Sequence, residues 1–75
     1  MSGLEKKEFL AEDRRLRLVV FGMLRRGRIN ENERNTAYKR LAQARSLAED
    51  GSMGEARHMV GVVADMIAGW REPKQ

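Results

Sequence analysis

Six arginines in the first third of the chain form the largest group of residues that could act on another molecule. They are Arg14, Arg15, Arg17, Arg25, Arg26 and Arg28, and no acidic residue lies between the first and the last of them. Helical spacing places Arg14, Arg17 and Arg25 on one side and Arg15 and Arg26 on another, with Arg28 in the following loop. Guanidinium groups bind carboxylates and phosphates. The cluster therefore predicts contact with an acidic protein surface or with a nucleic-acid backbone.

The charge of the chain is concentrated around this cluster. The net charge is +4 over 75 residues, and residues 1–28 hold eight Lys or Arg against four acidic residues. Residues 29–50 and 51–75 each sum to zero. This asymmetry indicates that the first third of the chain meets the charged partner.

A catalytic or metal-binding site would have few residues to use. The chain contains no Cys and a single histidine, His58, which excludes thiol catalysis and the usual clustered zinc ligands. A serine nucleophile would have to combine His58 with Ser2, Ser46 or Ser52, although Ser2 and Ser52 fit better as helix caps. A three-helix chain of this length also has little room for a pocket of about 300 Å³ or more. We therefore expect neither an enzyme nor a bound cofactor.

Asp65 interrupts an apolar run that extends over residues 62–67. A carboxylate near an apolar face is costly unless it is paired. One hypothesis gives it an arginine partner, either Arg14 or Arg17 of the same chain or an arginine of another protein. The alternative is that Asp65 points to water beside the apolar stripe.

Nucleic acid is the second candidate partner for the arginines, since such a cluster would neutralise several phosphates and bind with strong salt dependence. Tyr38 is the only aromatic residue in the polar stretch, and neither a zinc finger nor a stacking motif is present. The residues around Gly27 do not form a convincing helix-turn-helix. Tyr38 and Trp70 are candidate anchors if exposed, because aromatic residues are enriched at binding hot spots, and Trp70 also fits the core.

Helix 1, over about residues 3–26, is predicted to carry the arginine cluster. Ser2 and Glu5 match a capping box at its start, and Gly27 supplies its stop. Residues 16–21 would also fit a short strand, but no second strand-like run exists to pair with it. As a helix, residues 18–24 are apolar nearly all the way round, more than one pair of neighbouring helices can cover. That surplus predicts a dimer or a bound partner.

Helices 2 and 3 are predicted to form an antiparallel hairpin. Helix 2, over about residues 31–50, has good cap residues before it and a thin buried stripe made mostly of alanine. Helix 3, over about residues 53–71, follows Gly51 and a second capping box formed by Ser52 and Glu55. So short a turn folds helix 3 back along helix 2. Small residues of helix 3 form a strip where another helix could pack tightly, namely Gly61, Ala64 and Ala68.

The predicted fold class is all-α, a single three-helix domain with a C-terminal antiparallel helical hairpin, completed by dimerisation. Below about 80 residues one core rarely supplies more than ~3–5 kcal/mol, so a chain without disulfides or metal is expected to use a partner or a second copy. The residues predicted for the core and the dimer contact are Leu16, Val20, Phe21, Leu24, Val60, Val63, Ile67 and Trp70.

The leading functional hypothesis is a non-enzymatic regulator or adaptor that binds another protein with an acidic surface, in one version as an inhibitor that occludes an enzyme. The predicted partner-binding residues are Arg14, Arg15, Arg17, Arg25, Arg26, Arg28 and Tyr38. The competing hypothesis is a small basic nucleic-acid-binding regulator that uses the same arginines. The longest apolar stretch is too short for a bilayer and no signal-peptide pattern is present, so we expect a cytoplasmic homodimer without membrane contact. The composition suits a bacterial regulator or a phage or plasmid accessory protein.

Overall fold

The computed structural model describes residues 3–71, apart from the side chain of Leu4. Three α-helices make up this part of the chain: α1 (Gly3–Arg25), α2 (Glu31–Glu49) and α3 (Met53–Arg71). Their bounds lie within a residue or two of the predicted ones, and no strand occurs in the described residues, so the all-α prediction is confirmed. The capping box predicted at Ser2 lies outside the described residues. None of the three helices is long and apolar enough to cross a membrane.

Both turns are made by a glycine in the left-handed conformation. Gly27 has a φ of 72° and Gly51 a φ of 90°, a region that residues with a Cβ rarely adopt. After α1, the amide of Gly27 donates to the carbonyl of Leu24 and the amide of Arg28 to the carbonyl of Met23. The same two bonds follow α2, from Gly51 and from Ser52. Each helix thus ends in a Schellman motif, as the two glycines predict.

A capping box forms at the start of α2. The Asn30 side chain accepts a hydrogen bond of 2.8 Å from the amide of Glu33, whose carboxylate accepts one of 2.9 Å from the amide of Asn30. The box predicted at Ser52 was wrong. Ser52 uses its backbone instead, since its carbonyl accepts from the amide of Ala56 and its side chain makes no hydrogen bond within the described residues.

The core is formed by one face of each helix. The contact of α2 with α3 is the most extensive, which confirms the predicted hairpin, and α1 packs across the pair. Ion pairs between Arg57 and the carboxylates of Glu5 and Glu8 join the beginnings of α3 and α1, so these two helices run in the same direction. The buried apolar residues are Phe9, Leu16, Val20, Met23, Ile29, Ala37, Leu41, Ala44, Met53, Ala56, Val60, Val63 and Ile67.

One residue predicted for the core or dimer contact lies outside this core. Phe21 is half exposed, because it lies on the side of α1 opposite the buried stripe. Leu24 and Trp70 are partly buried and pack against the core. The remaining five residues of that set are buried. The core is formed within a single chain, and dimerisation stays a prediction.

Arg28 connects the first turn to the end of α3. One of its terminal nitrogens donates to the carbonyls of Trp70 and Arg71, at 3.1 and 3.0 Å. These carbonyls belong to the last turn of α3, where the helix dipole favours a cation. Arg28 therefore joins the first turn to the end of α3 while it stays exposed, and its role in partner binding stays a prediction.

We expect Arg28→Ala to lower the free energy of unfolding by about 1 kcal/mol, the usual contribution of such an exposed, charge-assisted contact. Urea denaturation followed by far-ultraviolet circular dichroism measures the change. Arg40→Ala is the matched control, because Arg40 is exposed on α2 and makes no side-chain hydrogen bond within the described residues. Equal effects of the two substitutions would contradict the role assigned to Arg28.

Candidate functional site

Helix α1 has a second face that the rest of the chain does not cover. Its inner face is buried through Phe9, Leu16, Val20 and Met23. The opposite side combines exposed apolar and basic residues at helical spacing and is called here the outer face of α1. It consists of Lys7, Leu10, Arg14, Leu18, Phe21 and Arg25.

The apolar part of the outer face is large for so small a protein. Leu18 is 65% exposed, Phe21 49% and Leu10 39%. Residues 18–24 are apolar around most of the helix, as the sequence indicates, and α2 and α3 cover only one side of them. Large apolar residues that are exposed together on one face mark an interaction site more often than single exposed ones do.

The charge of the outer face has one sign. Lys7, Arg14 and Arg25 are exposed, and none of them forms an ion pair within the described residues. The Arg25 guanidinium lies over the Phe21 ring, 5.9 Å from its centroid, so that cation and ring form one unit. A partner that covers this face must supply both carboxylates and apolar surface.

Arg17 and Tyr38, which were predicted to bind a partner, contact each other inside the chain. The Arg17 Nε donates to both carboxylate oxygens of Asp13 at 3.1 Å, and its guanidinium lies 5.7 Å from the centroid of the Tyr38 ring. The Tyr38 hydroxyl donates to the Arg17 carbonyl at 3.4 Å. These contacts join α1 to α2, because the side of α1 that carries Arg17 faces α2, and the roles of both residues in partner binding stay predictions.

Asp13 is a buried carboxylate that was not predicted from the sequence. It is 4% exposed and the only buried polar or charged residue in the described part of the chain. A signal existed, because residue 13 continues the spacing of Phe9, Leu16 and Val20 and lies four residues before Arg17. Asp65, the carboxylate singled out from the sequence, is exposed and forms no ion pair within the described residues, in agreement with the solvated alternative.

Arg15 forms an exposed ion pair of 2.6 Å with Glu12, one turn earlier on α1. The hydrogen bonds that the guanidinium donates lower the pKa of the Glu12 carboxyl and raise the pKa of Arg15. Because both side chains are in water, the pair contributes little to stability. Arg15 therefore remains accessible to a partner, with part of its charge already balanced.

The seam between α1 and α3 forms an open groove. Two adjoining depressions of about 280 and 310 Å³ share Arg15, Val19 and Arg71 in their linings. Ala64 and Ala68 of the small-residue strip line the first, and Gly22 with Arg26 lines the second. The sequence-predicted residues Arg15 and Arg26 thus lie together on this side of α1, away from the outer face.

The described residues contain no group of side chains that could hold a metal ion. His58 is exposed, and no three carboxylate or imidazole side chains come together as a metal site would need. A shallow, open depression of about 530 Å³ lies along α2, beside Met59 of α3. Asp50 is the only carboxylate in its lining, so a carboxylate pair for acid–base catalysis is missing from it.

The outer face of α1 and the groove beside it both expose arginines next to apolar side chains. Neither contains a residue set that identifies a reaction or a cofactor. Arginines and large apolar side chains are enriched in the centres of protein interfaces in general. Comparisons of the chain with protein-family models, with curated proteins and with solved structures found no match.

Proposed function

We propose that this protein is a non-enzymatic regulator or adaptor that acts by binding another protein with an acidic surface. The observation that carries the proposal is the outer face of α1. Leu18 and Phe21 lie exposed there between Arg14 and Arg25, and no carboxylate lies among them. The arginines accelerate encounter and select an acidic partner, whereas burial of the two apolar side chains supplies most of the affinity.

A protein fits this face better than nucleic acid does. Covering Leu18 and Phe21 is favourable only against apolar surface, which a phosphate backbone lacks. Tyr38, which could have stacked on a base, is partly buried against Arg17. Lys7, Arg14 and Arg25 of the outer face would bind carboxylates as well as they would bind phosphates.

A second copy of the chain bound at the outer face of α1 would place like charges against each other. In a symmetric dimer through the outer face, Lys7, Arg14 and Arg25 of the two copies would lie close together without a carboxylate between them. Like charges placed across an interface oppose association. Light scattering measures the oligomeric state, and a dimer that Leu18→Ser dissociates would show that the outer face serves self-association.

We expect Arg14→Gln/Arg25→Gln to reduce capture of the protein partner about tenfold, since two charge-assisted contacts of the rim are lost. The tagged protein is used to recover partners from a lysate of its source cells, with and without nuclease, and mass spectrometry identifies what is bound. Leu18→Ser/Phe21→Ser should abolish capture altogether, because it removes the apolar centre of the contact.

Arg40→Gln/Arg45→Gln is the matched control. It makes the same change of net charge on the exposed side of α2 and should leave capture unchanged. A discrete protein that survives nuclease and is lost only in the α1 variants supports the proposal. Recovery of nucleic acid, with proteins that disappear on nuclease treatment, would overturn it in favour of the nucleic-acid alternative.

A further inference from the structure

We infer that the groove between α1 and α3 receives an amphipathic α-helix of the partner protein, with carboxylates in its N-terminal half, as a fourth helix antiparallel to α1 and α3. The inference rests on the proposed function and names the form of the partner. It concerns a surface distinct from the outer face of α1, although Leu18 borders both.

The floor of the groove is apolar and shallow enough for a helix. Leu16 and Ile67 lie buried at its base, Val19 and Ala64 are partly exposed beside them, and Ala68 is exposed. Alanine lining lets the backbone of an incoming helix approach closely, and large side chains of that helix then fill the two depressions. The strip of small residues on α3 thus has an apolar counterpart on α1 across the groove.

The length of the groove fits about four helical turns. A smaller depression of about 130 Å³, lined by Glu8, Glu12 and Arg57, continues the seam toward the start of α1. From Glu8 to Gly22 the rise of α1 is about 21 Å, the length of a helix of about 14 residues.

Charge selects the occupant and its direction. Arg26 and Arg71 flank the far end of the groove and form no ion pair within the described residues. At the near end, Glu8 and Glu12 are already paired with Arg57 and Arg15, so the unbalanced charge of the groove lies at the far end. A helix antiparallel to α1 and α3 places its N-terminus at the arginine end. Carboxylates are favoured in the first turns of a helix, and here they would also meet two guanidinium groups.

A second copy of this chain does not match that description. The apolar faces of α2 and α3 are buried in their own core, through Leu41 and Val63. The exposed apolar residues of α1 lie beside Arg14 and Arg25, so α1 would bring cations to the arginine end. The occupant is therefore a helix of another protein.

Two synthetic helical peptides of about four turns test the inference with the full chain. One has a leucine stripe, glutamates in its N-terminal half and lysines in its C-terminal half. The other has the same composition with the two halves of charge exchanged. We expect the first to bind at least about tenfold more tightly in a fluorescence anisotropy titration, and Arg26→Glu/Arg71→Glu to reverse the preference.

Ala68→Trp is the blocking variant, because Ala68 is exposed and lines the groove, so an indole at this position fills the groove and lies away from the outer face. It should weaken binding of the first peptide at least about tenfold, and circular dichroism checks that the variant is folded. Equal binding of the two peptides, no binding of either, or unchanged binding to Ala68→Trp would overturn the inference.

Capture of the native partner by these variants tests this inference separately from the proposed function. A partner whose capture is lost in Leu18→Ser/Phe21→Ser and retained in Ala68→Trp would overturn the groove inference and leave the proposed function standing. Capture lost in both supports both. A homodimer that Ala68→Trp dissociates would show that a second copy occupies the groove, which overturns the inference.

Discussion

Leu41→Ala is expected to leave a large fraction of the protein unfolded in the absence of denaturant. Leu41 is fully buried and the only large side chain among the buried residues of α2, since the other two are Ala37 and Ala44. Leucine-to-alanine substitutions in cores cost about 3 kcal/mol, because they lose apolar burial and leave a cavity. A core of this size supplies only ~3–5 kcal/mol in total.

Urea denaturation followed by far-ultraviolet circular dichroism measures the loss. Leu18→Ala is the matched control, because the same atoms are removed from a side chain that is 65% exposed. Its expected effect is below about 0.5 kcal/mol. If the two variants unfold at the same urea concentration, the helical hairpin does not depend on Leu41, and the packing described for α2 is wrong.

The helices and their ends were predictable because the signals for them are local. Glycine at positions 27 and 51 satisfies the left-handed conformation that ends each helix, and that requirement depends on a few neighbouring residues only. Ser52 shows the limit of such signals. Its motif matches a capping box, yet the amide of Ser52 already donates a hydrogen bond in the Schellman motif of α2. At the start of α2, by contrast, Asn30 and Glu33 do form a capping box.

Which arginines face solvent and which contact another helix could not be predicted from the sequence, because this depends on where the other helices pack. Arg14 and Arg17 are only three residues apart, but the second faces α2 and the first faces solvent. Arg28 is bonded to the end of α3, because that end returns to the first turn. Neither fact can be read from spacing along α1, whereas the surplus of apolar surface at residues 18–24 can.

The different surroundings of Arg17 and Arg15 on α1 predict that replacing each with methionine changes the stability by different amounts. Arg17→Met removes the partner of the buried Asp13 carboxylate, and its expected cost is about 2 kcal/mol of unfolding free energy. Breaking a fully buried pair costs about 3–5 kcal/mol, because the remaining charge is buried alone. The side chain of Arg17 is 32% exposed, so solvent screening reduces that cost.

Arg15→Met breaks an ion pair of the same kind two residues earlier, and it changes the net charge equally. The side chains of Arg15 and Glu12 are 60% and 40% exposed, so no measurable change in stability is expected. Both variants are compared by urea denaturation at neutral pH. Equal stabilities would mean that the pair with Asp13 is no more than a surface contact.

The double variant Asp13→Leu/Arg17→Met shows why the single change is costly. If the loss comes from leaving a carboxylate buried without its partner, removing both charges restores much of the stability, because the leucine continues the apolar stripe of α1. Recovery in the double variant would assign the cost to the unpaired charge of Asp13. Additive losses would assign it instead to the packing of Arg17 against Tyr38, in which case the guanidinium and the ring, rather than the ion pair, hold α1 on α2.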